Sequence, residues 1–112
     1  MNNEKKMEEL NVLFKENKLK ELREEILAQN EVDISEFISI LPKDKALMVF
    51  RFLPKDQAAE VFSNLEVEDQ EKIISEITDQ ELGNVLDEMF VDDMVDMLEE
   101  LPAGVVKRVL KN

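Results

Sequence analysis

The strongest constraint on this chain is an apolar anchor that returns every 12 residues, at Leu41, Leu53, Leu65, Ile77, Met89 and Leu101. Read from these anchors, the units are LPKDKALMVFRF, LPKDQAAEVFSN, LEVEDQEKIISE, ITDQELGNVLDE, MFVDDMVDMLEE and LPAGVVKRVLKN. Positions 1, 6, 9 and 10 of the units make 24 sites, of which 23 are apolar and Gln70 is the exception. An apolar content of 44% would place only about 10 or 11 there by chance.

Positions 6, 9, 10 and the next position 1 stand at i, i+3, i+4 and i+7, one face of an α-helix. Each unit therefore predicts one short amphipathic helix. At about 100° per residue, 12 residues leave a remainder of about 120°, so an unbroken helix would scatter its anchors around the axis. The helix must break once per unit. Pro42, Pro54 and Pro102 directly follow an anchor, where proline suits the first helical position. Asp44 and Asp56 fall two residues later, near the positive helix end. Where proline is missing, Thr78 and Glu81 have the spacing of a capping box.

The pattern reaches back more weakly. Ile34, Phe37, Ile38 and Leu41 predict a further unit over Val32 to Ile40. Met7, Leu10, Leu13 and Phe14 form one earlier stripe, and Leu19, Leu22, Ile26 and Leu27 another. Glu16-Asn17-Lys18 is the expected break between them, because Asn tolerates the left-handed conformation that ends a helix. The expectation is a single all-α domain of about eight or nine helices, with N-terminal helices over 1–28 and repeat units over 29–112. The last unit ends on Val109-Leu110 with no polar capping helix, so more chain is expected to follow.

Composition then excludes chemistries. Without Cys or His there is no thiolate, no imidazole base and no Cys or His metal ligand, so a metal site must be built from oxygen and suits Mg²⁺ or Ca²⁺. The longest apolar run, Ala46 to Phe50, is far below the roughly 20 residues of a membrane helix. No signal-peptide core follows Met-Asn-Asn-Glu-Lys-Lys, which makes a cytoplasmic location the expectation. A net charge of −13 argues against nucleic acid, whose phosphates need Lys and Arg. Carboxylate pairs alone, without a cleft lined by substrate-binding aromatics, argue against glycoside hydrolysis, and the six Phe fall mostly at core positions. An interaction module is expected, not an enzyme.

All of the net charge sits in one segment: residues 66–100 hold 14 acids and the single base Lys72, while the remainder holds 13 of each sign. Within it, Asp92, Asp96 and Glu100 repeat at i, i+4, i+8, and Met94, Met97, Leu98 and Leu101 take the opposite side. Like charges at i, i+4 destabilise a helix by about 0.2–0.5 kcal/mol per pair, so a cation or basic partner would relieve the stripe. A solvated acidic surface accounts for the same spacing. Glu60 occupies position 8 of its unit, as Asp96 does three units later, and both should face outward.

The units LPKDQAAEVFSNL and VDDMVDMLEELP, with the acidic unit between them, closely resemble the cytoplasmic N-terminal domain of MgtE-type magnesium transporters over roughly residues 18–110. The resemblance implies a right-handed superhelix of short helices, followed by CBS domains and a membrane pore, in a homodimer. It also implies that Mg²⁺ bound between the N domain and the CBS domains holds the pore closed. By motif, the Glu of AAEV is Glu60, and the first and last Asp of DDxxD are Asp92 and Asp96. These match the family's Mg²⁺-contacting acids, with Asp93 and Glu100 matching less specifically. Asn30-Glu31 departs from the His-Pro of some relatives, away from these sites. The competing expectation is a protein-binding helical scaffold, since the flagellar motor switch protein has similar short-helix repeats.

Overall fold

A computed structural model describes residues 3–111. Those residues form nine α-helices and no strand: α1 (Asn3–Lys15), α2 (Leu19–Leu27), α3 (Glu31–Ile40), α4 (Lys43–Phe52), α5 (Lys55–Asn64), α6 (Val67–Glu76), α7 (Asp79–Glu88), α8 (Val91–Glu100) and α9 (Ala103–Lys111). From α3 to α8 each helix has 10 residues, and each is separated from the next by two. That sum is the 12-residue period.

The break has one construction. Each anchor leaves the helix with an extended ψ, between 137° at Leu53 and 161° at Ile77. Its N–H still closes the preceding helix, as in Leu53 N to Phe50 O at 3.2 Å and Ile77 N to Ile73 O at 3.0 Å. The following residue is the N-cap. Pro42 and Pro54 occupy that cap, one position earlier than the sequence suggested, at φ of −58° and −62° with extended ψ. Their carbonyls accept the first intrahelical bonds, from Ala46 N at 2.9 Å and Ala58 N at 2.7 Å. Proline suits this place because its ring fixes φ and the missing N–H lies outside the helix ladder. At α7 the capping box forms: Glu81 N donates to Thr78 Oγ1 at 3.1 Å, and Thr78 N to Glu81 Oε1 at 2.9 Å. Asn17, between α1 and α2, adopts φ 57°, the left-handed conformation expected of the break.

The repeat periodicity is the core. All six position-9 residues, Val49, Val61, Ile73, Val85, Met97 and Val109, are buried. The apolar exception, Gln70, is buried as well, and its Nε2 donates to Phe62 O at 2.9 Å. This amide ties α6 to the end of α5. Phe50 and Phe62 stack their rings at 6.0 Å in a tilted pair, so position 10 joins successive units by aromatic contact. Position 10 weakens toward the end: Leu98 is half-buried and Leu110 is 70% exposed.

Apart from α1 on α2 and α3 on α4, the main packing skips at least one helix. α3 packs on α5 and α5 on α7, while α2 packs on α4 and α4 on α6. Farther along, α8 comes against α5 and α9 against α6, three helices back. Three ion pairs link different repeat units: Lys43 of α4 pairs with Glu76 of α6 at 2.9 Å, and the other two involve arginine. Arg51 of α4 donates from Nε to Glu81 of α7 at 2.9 Å, and Arg108 of α9 reaches Ile77 O at 2.6 Å and Asp79 at 3.1 Å. Among the described residues, no helix is long and apolar enough to cross a membrane.

Candidate functional site

The packing of α8 on α5 creates an acidic groove. One hollow, of about 270 Å³, lies between Asp56, Glu60 and Ser63 of α5 and Glu88, Phe90 and Asp93 at the α7–α8 junction. A second, of about 160 Å³, adjoins it and is lined by Ser63, Gln70, Asp93, Asp96 and Glu100. Ser63 and Asp93 belong to both, so the two hollows form one groove.

Four of the five acids singled out in the sequence meet here. Glu60 lines the first hollow, Asp96 and Glu100 the second, and Asp93 both. Asp92 lines neither and is exposed in the first turn of α8, where the positive helix end favours a carboxylate. Asp93, which matched the motif less specifically, is thus the more central of the adjacent pair. Asp56, Ser63 and Glu88 are additions. Asp56, Glu60 and Ser63 stand at i, i+4, i+7, a polar stripe on α5 that is visible in the sequence, but nothing in the sequence pairs α5 with α8.

Three acids of the acidic segment are held in ion pairs away from the groove. Glu76 pairs with Lys43 at 2.9 Å, Glu81 with Arg51 and Asp79 with Arg108. The hydrogen bond from Arg51, then that from the Thr78 backbone, holds the Glu81 carboxyl below its ordinary range and raises the arginine's own pKa. Among the described residues, neither Lys nor Arg pairs with Asp56, Glu60, Glu88, Asp93, Asp96 or Glu100. The ion pairs of Lys43, Arg51 and Arg108 go to acids outside the groove.

The donors are all oxygen, and the carboxylates are exposed except for the half-buried Asp93. Ser63 Oγ donates to Ala59 O at 3.0 Å, which leaves its lone pairs as acceptors toward the groove. Hard cations such as Mg²⁺ take carboxylates and retain several waters, so the chemistry of the set fits Mg²⁺. Its geometry is incomplete: among the described residues, no group of three or more acids is arranged to hold a metal ion unaided. The groove can supply part of a coordination shell.

Comparison with known proteins bears on what the groove belongs to. No curated protein sequence matches the chain. Its structure is similar to one described as the crystal structure of the soluble part of a magnesium transporter, with a TM-score of 0.82 at 22% identity. That match covers 98% of this chain and 44% of the other, and at such identity it shows the shared fold. The family model for the MgtE intracellular N domain matches residues 29–112, the span of the repeat units. With most of its length inside that match, the chain belongs to the MgtE intracellular N domain family.

Proposed function

We propose that this chain is the Mg²⁺-sensing regulatory domain of a magnesium transporter, working at the cytoplasmic face of the membrane. The observation that carries this is the α5–α8 groove: carboxylates without internal cations, positioned to give only part of an ion's shell. Glu60, Asp93 and Asp96 contribute direct or water-mediated ligands, Glu100 extends the patch, and Asp92 adds charge at its edge. The remaining ligands come from CBS domains of the same polypeptide, which pairs with a second copy as a homodimer. The role is regulatory and not catalytic.

The physics of such a gate is linkage. With no ion present, two acidic surfaces repel and the domain stands away from its neighbour. Each Mg²⁺ that bridges them favours the closed arrangement by its differential affinity for the two states. Because the ion keeps most of its waters, affinity is low when one surface is absent.

Calorimetric titration of MgCl₂ tests the shared site. The 112-residue chain should bind Mg²⁺ weakly, and the transporter polypeptide with its CBS domains at least about tenfold more tightly, a factor worth 1.4 kcal/mol. Equal affinities would mean that the site is complete in this domain and that no second surface closes on it.

A further inference from the structure

Among the described residues the stack of helices is left open at α8 and α9, and the repeat register identifies the open face. Positions 7 and 10 of a unit turn toward the helices that come later. Ala59, at position 7 in α5, is 3% exposed and lines the hollow that α5 shares with the α7–α8 junction. In the units of α4 to α7, position 7 is buried or half-buried at Leu47, Ala59, Glu71 and Gly83, and position 10 is buried throughout. The last two units lose this cover. Val95 and Lys107, both at position 7, are exposed, and Leu110 at position 10 is 70% exposed. Val91, one turn before Val95, is 74% exposed and lies with it on the flank of α8 turned away from the acidic groove. Exposed apolar side chains gathered at one end of a fold mark a contact surface.

The occupant follows from the charge of the two helices. α8 carries five acids and no base, whereas α9 carries Lys107, Arg108 and Lys111 and no acid. Asp92 and Glu99 flank the Val91–Val95 ridge, Lys107 and Lys111 flank Leu110, and all four charged side chains are exposed. Although α8 and α9 are consecutive, none of these four is in an ion pair among the described residues. One face thus has an acidic apolar half beside a basic apolar half. Such a face complements itself after a half-turn, the isologous arrangement of a two-fold dimer. We infer that two copies of this chain associate through it, Leu110 of each packing on the Val91–Val95 ridge of the other, with Lys107 and Lys111 against Asp92 and Glu99. Copies of net charge −13 repel one another at long range. At physiological salt the screening length is about 8 Å, so the pairs in contact outweigh that repulsion. The contact is separate from the acidic groove and needs neither Mg²⁺ nor a CBS domain.

Sedimentation equilibrium of the 112-residue chain at physiological salt is the test. The mass should rise with concentration from 13.0 kDa to twice that value and stop there. Val95→Ser/Leu110→Ser should weaken the dimer at least about tenfold. Charge reversal is more specific. Lys107→Glu/Lys111→Glu sets acid against acid, and Asp92→Lys/Glu99→Lys sets base against base, so each variant alone should stay monomeric. An equimolar mixture of the two should dimerise again, because every contact then joins opposite charges. Lys20→Glu/Lys55→Glu, with the same change of net charge at exposed sites of α2 and α5, is the control and should dimerise as the parent does. A parent that is monomeric at every concentration would leave the face to another occupant and overturn the inference. So would a mass that grows past the dimer, a mixture that stays monomeric, an equal loss in the control, or undiminished association of the Val95/Leu110 variant. Each substituted side chain is exposed, and matching circular dichroism of the variants distinguishes lost association from lost fold.

Discussion

Replacing Gln70 separates hydrogen bonding from packing in the repeat. Gln70 is 6% exposed and donates one bond, to Phe62 O at 2.9 Å. Gln70→Leu removes that bond, a net loss of about 0.5–1.5 kcal/mol. The Phe62 carbonyl is not orphaned, because Leu65 N still donates to it at 3.1 Å. Leucine then restores the apolar residue found at position 6 in every other unit, and full burial of such a side chain contributes about 1.5–3 kcal/mol. The gain equals or exceeds the loss, so the variant should be at least as stable as the parent. Gln70→Ala loses the same bond and leaves a void as well, for a cost of about 2–3 kcal/mol. Urea unfolding followed by far-ultraviolet circular dichroism is the assay, since the chain has neither Trp nor Tyr. If Gln70→Leu proves as destabilising as Gln70→Ala, the amide bond and not the filled volume holds α6 to α5, and the packing account of the exception is wrong.

Other variants address caps, charge and the turn. Thr78→Ala should cost about 1 kcal/mol by opening the capping box of α7, measured by urea denaturation. The lowered pKa of Glu81 gives stability that is complete above the ordinary carboxylate value and lost as pH falls through the lowered one. Comparing Glu81→Gln with the parent at pH 7 and pH 3 should therefore show a gap in melting temperature at pH 7 that closes in acid; solvent screening keeps it small. Asp96→Asn removes the i, i+4 repulsions with Asp92 and Glu100 and should stabilise the 112-residue chain without Mg²⁺ by about 0.2–0.5 kcal/mol per pair, read from thermal melts at low salt. Asn17→Val should destabilise by about 1–2 kcal/mol, because a β-branched residue resists φ 57°, whereas Asn17→Gly should be tolerated.

Much of the fold is legible in the sequence because burial along a short helix follows a simple period. Every position-9 residue is buried, Asn17 turns the chain where expected, and Thr78 with Glu81 caps α7. The proline displacement by one residue is a boundary effect, since the carbonyl of an N-cap residue already joins the helix. Leu110 matched the buried pattern but is exposed, because a position-10 residue needs a following helix to cover it and α9 is the last described. The site is less legible. Periodicity reports which way a side chain faces on its own helix, so it placed Glu60 and Asp96 outward. It carries nothing about α5 meeting α8, which puts Asp93 in the groove and leaves Asp92 outside. Phe90 had a signal of its own: position 2 of a unit lies off the apolar stripe, so an aromatic there is exposed by the same rule that buries Phe62.

The central claim is that Mg²⁺ in the α5–α8 groove holds this domain against the next. It is tested most directly by Mg²⁺-dependent protease protection of the transporter polypeptide, comparing parent with Glu60→Gln/Asp93→Asn/Asp96→Asn. These side chains line the groove and lack basic partners among the described residues, so the variant should keep its fold. The parent should become resistant to cleavage after this domain as MgCl₂ rises, and the variant should need at least about tenfold more ion, or about 1.4 kcal/mol. Protection of the variant at the parent's Mg²⁺ concentration would contradict the account.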